Sequence, residues 1–165
     1  MQTLRTFLVM ALALTLWSCA GYRQAANSDA PLDLPVEARA LFIKSVENPT
    51  MDPDLESILR AEIRDEFTRR GRVVWVDRDQ ATAYISIKVN SFRTATSLTD
   101  EDDTTIRSSS SISLEAWITS KDNGQELWRG SASHSESFTS DQEGAEADVM
   151  EMAARKLADR LNQGY

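Results

Sequence analysis

A single cysteine and a single histidine occur among the 165 residues of this chain, and each scarcity removes a class of chemistry. One thiol forms no internal disulfide, even in a compartment that would permit one. One imidazole and one thiol fall short of the usual zinc ligand set. His134 stands between Ser133 and Ser135, but neighbours in a strand point to opposite faces, so neither serine can use it as a base. It reads as a polar residue of a sheet face. The six glycines form neither a phosphate-cradling loop nor a nucleophile elbow. Positive charge is also short: 18 Lys and Arg against 26 Asp and Glu give −8 at pH 7. That balance argues against nucleic acid as a partner and weakens any broad surface for anionic head groups.

Acidic clusters are present, but nothing selects a catalytic pair from them. "TDEDD", residues 99–103, lacks the glycine and distant glutamate of a calcium loop and reads as solvated. Asp141, Glu143, Glu146 and Asp148 crowd a helix start, where the dipole favours them without catalysis. The chain reads as a non-enzyme with no metal.

Long apolar runs are missing as well. The one apolar stretch, "FLVMALALTL" from Phe7 to Leu16, is about half the roughly 20 residues a spanning helix needs. Arg5 precedes it and is the only charge in the first 22 residues. A positive start, a short apolar run and small residues at its end predict a secretory signal peptide over residues 1–18. Leu16, Ser18 and Cys19 resemble the bacterial lipoprotein pattern, with Trp17 bulkier than that slot usually holds. The resemblance implies cleavage between Ser18 and Cys19, a diacylglyceryl group on the Cys19 sulfur and an acyl chain on the new amino terminus. Each buried methylene contributes ~0.8 kcal/mol, so two or more chains give a stable anchor. The alternative is an ordinary signal peptide with an incidental cysteine. No cofactor beyond the covalent lipid is implied.

Removal of residues 1–18 leaves enough chain for one domain with a single core. Residues 19–38 hold two of the four prolines and no apolar period, and read as a lipidated tether; 39–165 read as one α/β sandwich domain. "ALFIKSV", 40–46, predicts a first strand. In "DPDLESILRAEIRDEFTRRG", Asp52 can cap a helix with Pro53 at its first position, and Arg69, Arg70 and Gly71 end it. Leu55, Ile58, Leu59, Ile63 and Phe67 are its expected inner face. "VVWV", 73–76, predicts a buried strand, pairing parallel with the first through a right-handed crossover.

Beyond it the alternation becomes that of half-buried strands. Ile85, Ile87 and Val89 alternate with Ser86, Lys88 and Asn90, and Ile112, Leu114, Ala116 and Ile118 with Ser113, Glu115, Trp117 and Thr119. "SLTDEDDTTIRSSSS" between them is expected to be an exposed, mobile connection. Asn123-Gly124 is a turn signal leading into a strand over 126–138. A helix is expected from about Asp141 to Asn162, with Ala147, Met150, Ala154, Leu157, Ala158 and Leu161 inside. The class is α+β: a two-layer sandwich, two helices on one face of a mixed four- to five-stranded sheet, in the order strand-helix-strand-strand-strand-strand-helix. Arg69, Arg70 and Arg72 are the densest basic group and read as a helix end, with lipid phosphate as the alternative. Trp75 and Trp128 suit core or rim; Trp117, on a polar register, is expected to face a partner.

"CAGYR", "VENPTMDPDLESILRAEIRDEFTRRGRVVWVDRDQATAYISIKV" and "NGQELWRGSASHSESF" occur in one order across nearly all of the mature chain. Together they resemble the lipopolysaccharide-assembly lipoprotein family, LptE. The marks are Cys-x-Gly-Tyr with one extra alanine at Ala20, Glu-Asn-Pro-Thr before a helix, a helix ending Arg-Arg-Gly, and Gly-x-x-Leu-Trp in the final hairpin. The acidic insert near 99–103 departs from that pattern. The resemblance implies an outer-membrane lipoprotein on the periplasmic side that plugs the LptD β-barrel, helps it assemble, and assists lipopolysaccharide transport to the cell surface. LptD, lipopolysaccharide and the outer membrane are thus the implied partners, with Arg93, Arg107 and Arg129 as candidates for lipopolysaccharide contact. A strand, Asn-x-Thr, a helix and a strand running into Asp-Arg also resemble periplasmic lipoproteins of the CsgG or penicillin-binding-protein-activator groups. The Gly-x-x-Leu-Trp hairpin followed directly by a terminal helix separates the two.

Overall fold

The computed structural model describes residues 34–50, 52–71, 73–99 and 105–163. They form β1 (Ala40–Glu47), α1 (Leu55–Gly71), β2 (Val74–Trp75), β3 (Ala83–Thr99), β4 (Thr105–Ser120), β5 (Glu126–Phe138) and α2 (Gln142–Gln163). The strands make one sheet in the order β2-β1-β3-β4-β5. β1 is parallel to both β2 and β3, while β3–β4 and β4–β5 are antiparallel. The chain therefore has the expected α+β fold, two helices on one face of a mixed five-stranded sheet.

Alternation along the strands becomes rows across them. Ile43, Ile85, Ile118 and Trp128 are register partners on four strands, followed by the row Val46, Ile87, Ala116 and Gly130. These residues are buried beneath the helices. Leu55, Leu59, Ile63 and Phe67 of α1 and Val149, Ala153, Leu157 and Leu161 of α2 close the core from above. Every four-residue step of a helix returns nearly to the same face, which gives each helix a continuous apolar stripe.

The helices run in the same direction. Arg70 contacts Asp159 and Glu66 faces Arg155, a constant offset along both. Asn162 Nδ2 donates to the carbonyl of Arg70 at 2.6 Å, satisfying one of the orphan acceptors at the α1 terminus. Toward the N-terminal ends of the two helices lie Ile58 and Ala147. Both were expected inside, and both are exposed: Ile58 retains 37% of its surface. The inner face of α2 instead includes Ala145, Val149 and Ala153.

Four other expectations change. The first helical residue of α1 is Leu55 rather than Pro53, because the Asp52 carboxylate accepts the Asp54 N–H at 3.0 Å in a turn before the helix. Asn48 ties that turn together, accepting from Thr50 N–H at 2.9 Å and donating to the Asp52 carbonyl at 2.7 Å. "VVWV" is not a buried strand: only Val74 and Trp75 pair, at the sheet edge, and Val74 is 61% exposed. The segment expected as a mobile connection is largely strand, since β3 extends to Thr99 and β4 starts at Thr105. Thr and Ser hydroxyls pair there across the strands, Thr94 with Ser110 at 2.8 Å, and Ser110 is buried. Finally, Leu34 is 2% exposed and Ala38 is buried, so the segment read as tether up to residue 38 already contributes two core residues.

Candidate functional site: the open face of the sheet

The helices cover one face of the sheet, and the alternation that builds the core lines the other with small polar residues. From the middle of the sheet outward the rows are Ser91–Ser113–Ser133, Arg93–Ser111–Ser135 and Ala95–Ser109–Ser137. Serine presents a hydroxyl donor and acceptor with almost no bulk. Among the described residues the result is a shallow, hydrogen-bonding surface of mostly small polar side chains along this half.

Toward the other end of the strands the open face carries rings and charges. Phe42 and Tyr84 meet edge to face, centroids 6.3 Å apart. In the next row Trp117 lies beside Arg129, whose guanidinium sits 5.3 Å from the ring centroid. Trp117 is thus half-buried on the outward face, as its register implied. Arg129 also donates to Glu126 and Glu115. The hydrogen bonds to Glu126 and then to Glu115 hold the guanidinium above its ordinary pKa, and Arg129 in turn draws the Glu126 carboxyl down. This network orders an otherwise flexible arginine over an indole. Glu47, Lys88 and Glu115 form the adjoining row of alternating sign.

The three candidate arginines share this face without converging. Arg93 is level with Ser111, Arg107 lies two positions further along that face of β4, and Arg129 is level with Trp117. The span from Arg93 to Arg129 along the strands is about 20 Å at roughly 3.4 Å per residue. Arg69 and Arg70 face elsewhere and serve the helix, both contacting Glu66. Arg72, Ser18, Cys19 and residues 100–103 of the acidic segment lie outside the described residues.

His134 occupies the helix-facing register of β5 rather than the open one, level with Ile112. Its Nδ1 lies 3.2 Å from Lys156 Nζ and its Nε2 3.8 Å from Glu136, so it belongs to an ionic cluster and not to a serine. A second feature that periodicity hid is Glu66, fully buried between the helices. Arg70 Nε donates to it at 2.9 Å, and Arg69 and Arg155 approach at 3.2 and 3.9 Å. Among the described residues no group of three or more His, Cys, Asp or Glu is placed to hold a metal ion. Two shallow depressions are present, one of about 290 Å³ around Arg64, Trp75 and Asp77, the other of about 380 Å³ around Ser133, Lys156 and Arg160. This geometry suits binding of a polar surface.

The same fold occurs in solved bacterial proteins at low identity. PelC from Paraburkholderia phytofirmans, solved as a dodecamer, superposes with a TM-score of 0.54 at 15% identity, covering 76% of this chain and 88% of that one. Protein XCC0632 from Xanthomonas campestris gives 0.52 at 13% identity over 78% and 84%. No curated protein sequence matches. The sequence profile described as lipopolysaccharide-assembly, LptE, matches residues 38–163, all of the sheet and both helices, and the chain belongs to that family.

Proposed function

We propose that this chain is an outer-membrane lipoprotein, anchored through acyl chains on Cys19 after cleavage behind Ser18, that plugs and helps assemble the LptD β-barrel and assists lipopolysaccharide transport. The observation that carries the reading is the open sheet face, with its serine rows and paired charges. A barrel lumen is polar and hydrated. A domain that fills one needs a surface that hydrogen-bonds and matches charge while exposing few apolar side chains. Ordered serine rows supply this, and Arg129 over Trp117 adds a rigid amphipathic contact. The role calls for no chemistry, so the chain is read as a partner and not an enzyme.

Photocrosslinking in cells from Ser113 or Trp117 tests the interface, with the LptD barrel as the expected product. Depletion of the chain is expected to lower folded LptD and raise sensitivity to large hydrophobic antibiotics. Depletion that altered only peptidoglycan synthesis or secretion would instead favour the CsgG or penicillin-binding-protein-activator type of module. Lipopolysaccharide is expected to engage the arginines of the open face. Reversing Arg93, Arg107 and Arg129 together should weaken lipopolysaccharide binding in a salt-dependent way, and an unchanged affinity would remove that contact.

A further inference from the structure

β5 is the last strand of the sheet, and among the described residues no strand pairs with its outer edge. Its pairing with β4 is unbroken from Trp128 to Phe138, so the edge is regular over eleven residues. In an antiparallel ladder, backbone groups point alternately toward the neighbour and away from it. The Ser133 carbonyl points away, because it accepts from Lys156 Nζ of α2 at 2.8 Å. By the same alternation the backbone groups of Ser131, Ser135 and Ser137 also point outward. All four residues are exposed serines, too small to shield their own backbone.

Sheet edges are ordinarily guarded by shortness, proline, lysine or a bulge. The opposite edge uses the first device, since β2 has two residues. β5 spans thirteen residues and contains neither proline nor lysine. Among the described residues the Lys156 ammonium reaches this edge, and it donates to the Ser133 carbonyl where the N–H of a sixth strand would donate.

We propose that the β5 edge takes up an extended segment of another protein as a sixth strand along Ser131–Ser137, with carboxylates on the residues that face Lys156 and Arg160. Those two cations line the depression beside Ala132 and Ser133. Asp159 in the same depression is already engaged by Arg70 at 2.7 Å, so Lys156 and Arg160 stand against one other carboxylate, Glu136, which reaches His134 at 3.8 Å, and the local balance stays positive on an acidic chain. Glu136 and Glu126 stand toward the two ends of β5 and confine the favoured carboxylate to the middle. A second copy fits less well: antiparallel β5–β5 pairing about Ser133 would bring two Lys156 side chains together. Strands within a closed barrel wall already have their backbone groups paired, so the occupant is a loop or terminal segment outside any such wall.

The probe is a nine-residue blocked peptide of alternating threonine and glutamate, added to the full-length lipoprotein in detergent. Its effect is read as exchange of individual backbone amides. Slowing of the Ser131, Ser133, Ser135 and Ser137 amides by tenfold or more is expected. Ser135→Pro removes one outward N–H that the fold does not use, and should abolish that slowing. Lys156→Glu should weaken the glutamate peptide and improve one with lysine in its place. Unchanged exchange with the wild-type chain, or equal protection in either variant, would overturn the proposal. The readout needs no barrel, so its result is separate from that of the LptD crosslinking.

Discussion

Trp128 lies over Gly130 so closely that a Cβ at residue 130 would come within 2.6 Å of the indole Cη2 and nearer still to Cζ2. The two residues face the same side of β5, and Gly130 leaves the room into which the ring leans, edge to face with Phe67 at 6.3 Å. Gly130→Ala is expected to destabilise the fold by about 1–3 kcal/mol through overpacking. Combining it with Trp128→Phe should lose less than the sum of the single changes, measured by denaturant unfolding. Additive losses would show that the ring and the glycine are not coupled.

Glu66 should respond to charge removal differently from removal of polarity. Glu66→Gln keeps the bulk and the polar atoms but loses the charge-assisted bond to Arg70, and is expected to cost about 1.5–3 kcal/mol. Glu66→Met removes the buried charge altogether, while Arg69 and Arg70, both partly exposed, can turn to water. It should be closer to neutral than Glu66→Gln. The order of the two midpoints in urea checks this.

Two carboxylates give opposite pH signatures. Burial, then Glu151, Asp65 and Glu66, push the Glu62 carboxyl above its ordinary range, with Arg69 opposing. A raised folded pKa means the native state holds the proton more tightly. Its contribution is present below the ordinary carboxylate range and is lost as pH rises through the folded value. Glu62→Gln should therefore stabilise the chain at pH 7, with the gain vanishing below about pH 4. Glu126 is drawn down by its hydrogen bond to Arg129, so its contribution is present above the ordinary range and fades on acidification. Stability curves of Glu62→Gln and Glu126→Gln against pH should diverge from wild type in opposite directions as pH rises.

Adjacent residues of α1 should differ sharply. Leu59→Ala empties a fully buried position and is expected to cost about 2–5 kcal/mol. Ile58→Ser changes a position that keeps 37% of its surface and should cost less, about 1 kcal/mol. Thermal unfolding of the two variants measures the contrast.

Much of the fold was legible because alternation and turn chemistry are local. The bounds of β5 follow from the Asn123-Gly124 turn, with Gly124 at φ 70°, and from the apolar residues that repeat after it. Asp141 caps α2 by accepting the Gly144 N–H at 2.8 Å, which places the helix start within one residue of its expected position. Glu66 shows where local reading stops. It lies eleven residues after Leu55, about 20° around a helix that turns roughly 100° per residue, squarely on the buried stripe. Its charge argued for the surface; ion pairs with Arg69 and Arg70 of its own helix and the approach of Arg155 from α2 make its burial tolerable.

The open face was legible as a polar face but not as an arrangement. The β3–β4 register shifts between Val89 and Ser91. Before the shift the odd residues Ile85, Ile87 and Val89 face the helices; after it the even residues Phe92 and Thr94 do. Without that bulge Arg93 would point into the helix layer.

Composition and period by themselves determined the class of fold, the strand faces, the β5 hairpin and the two helices, since each depends on residues a few positions apart. Tertiary structure alone decided the face that Arg93 joins, the burial of Glu66 and the place of β5 at the end of the sheet. Each of these depends on where one element stops, slips or meets another, and no short stretch of chain carries that information.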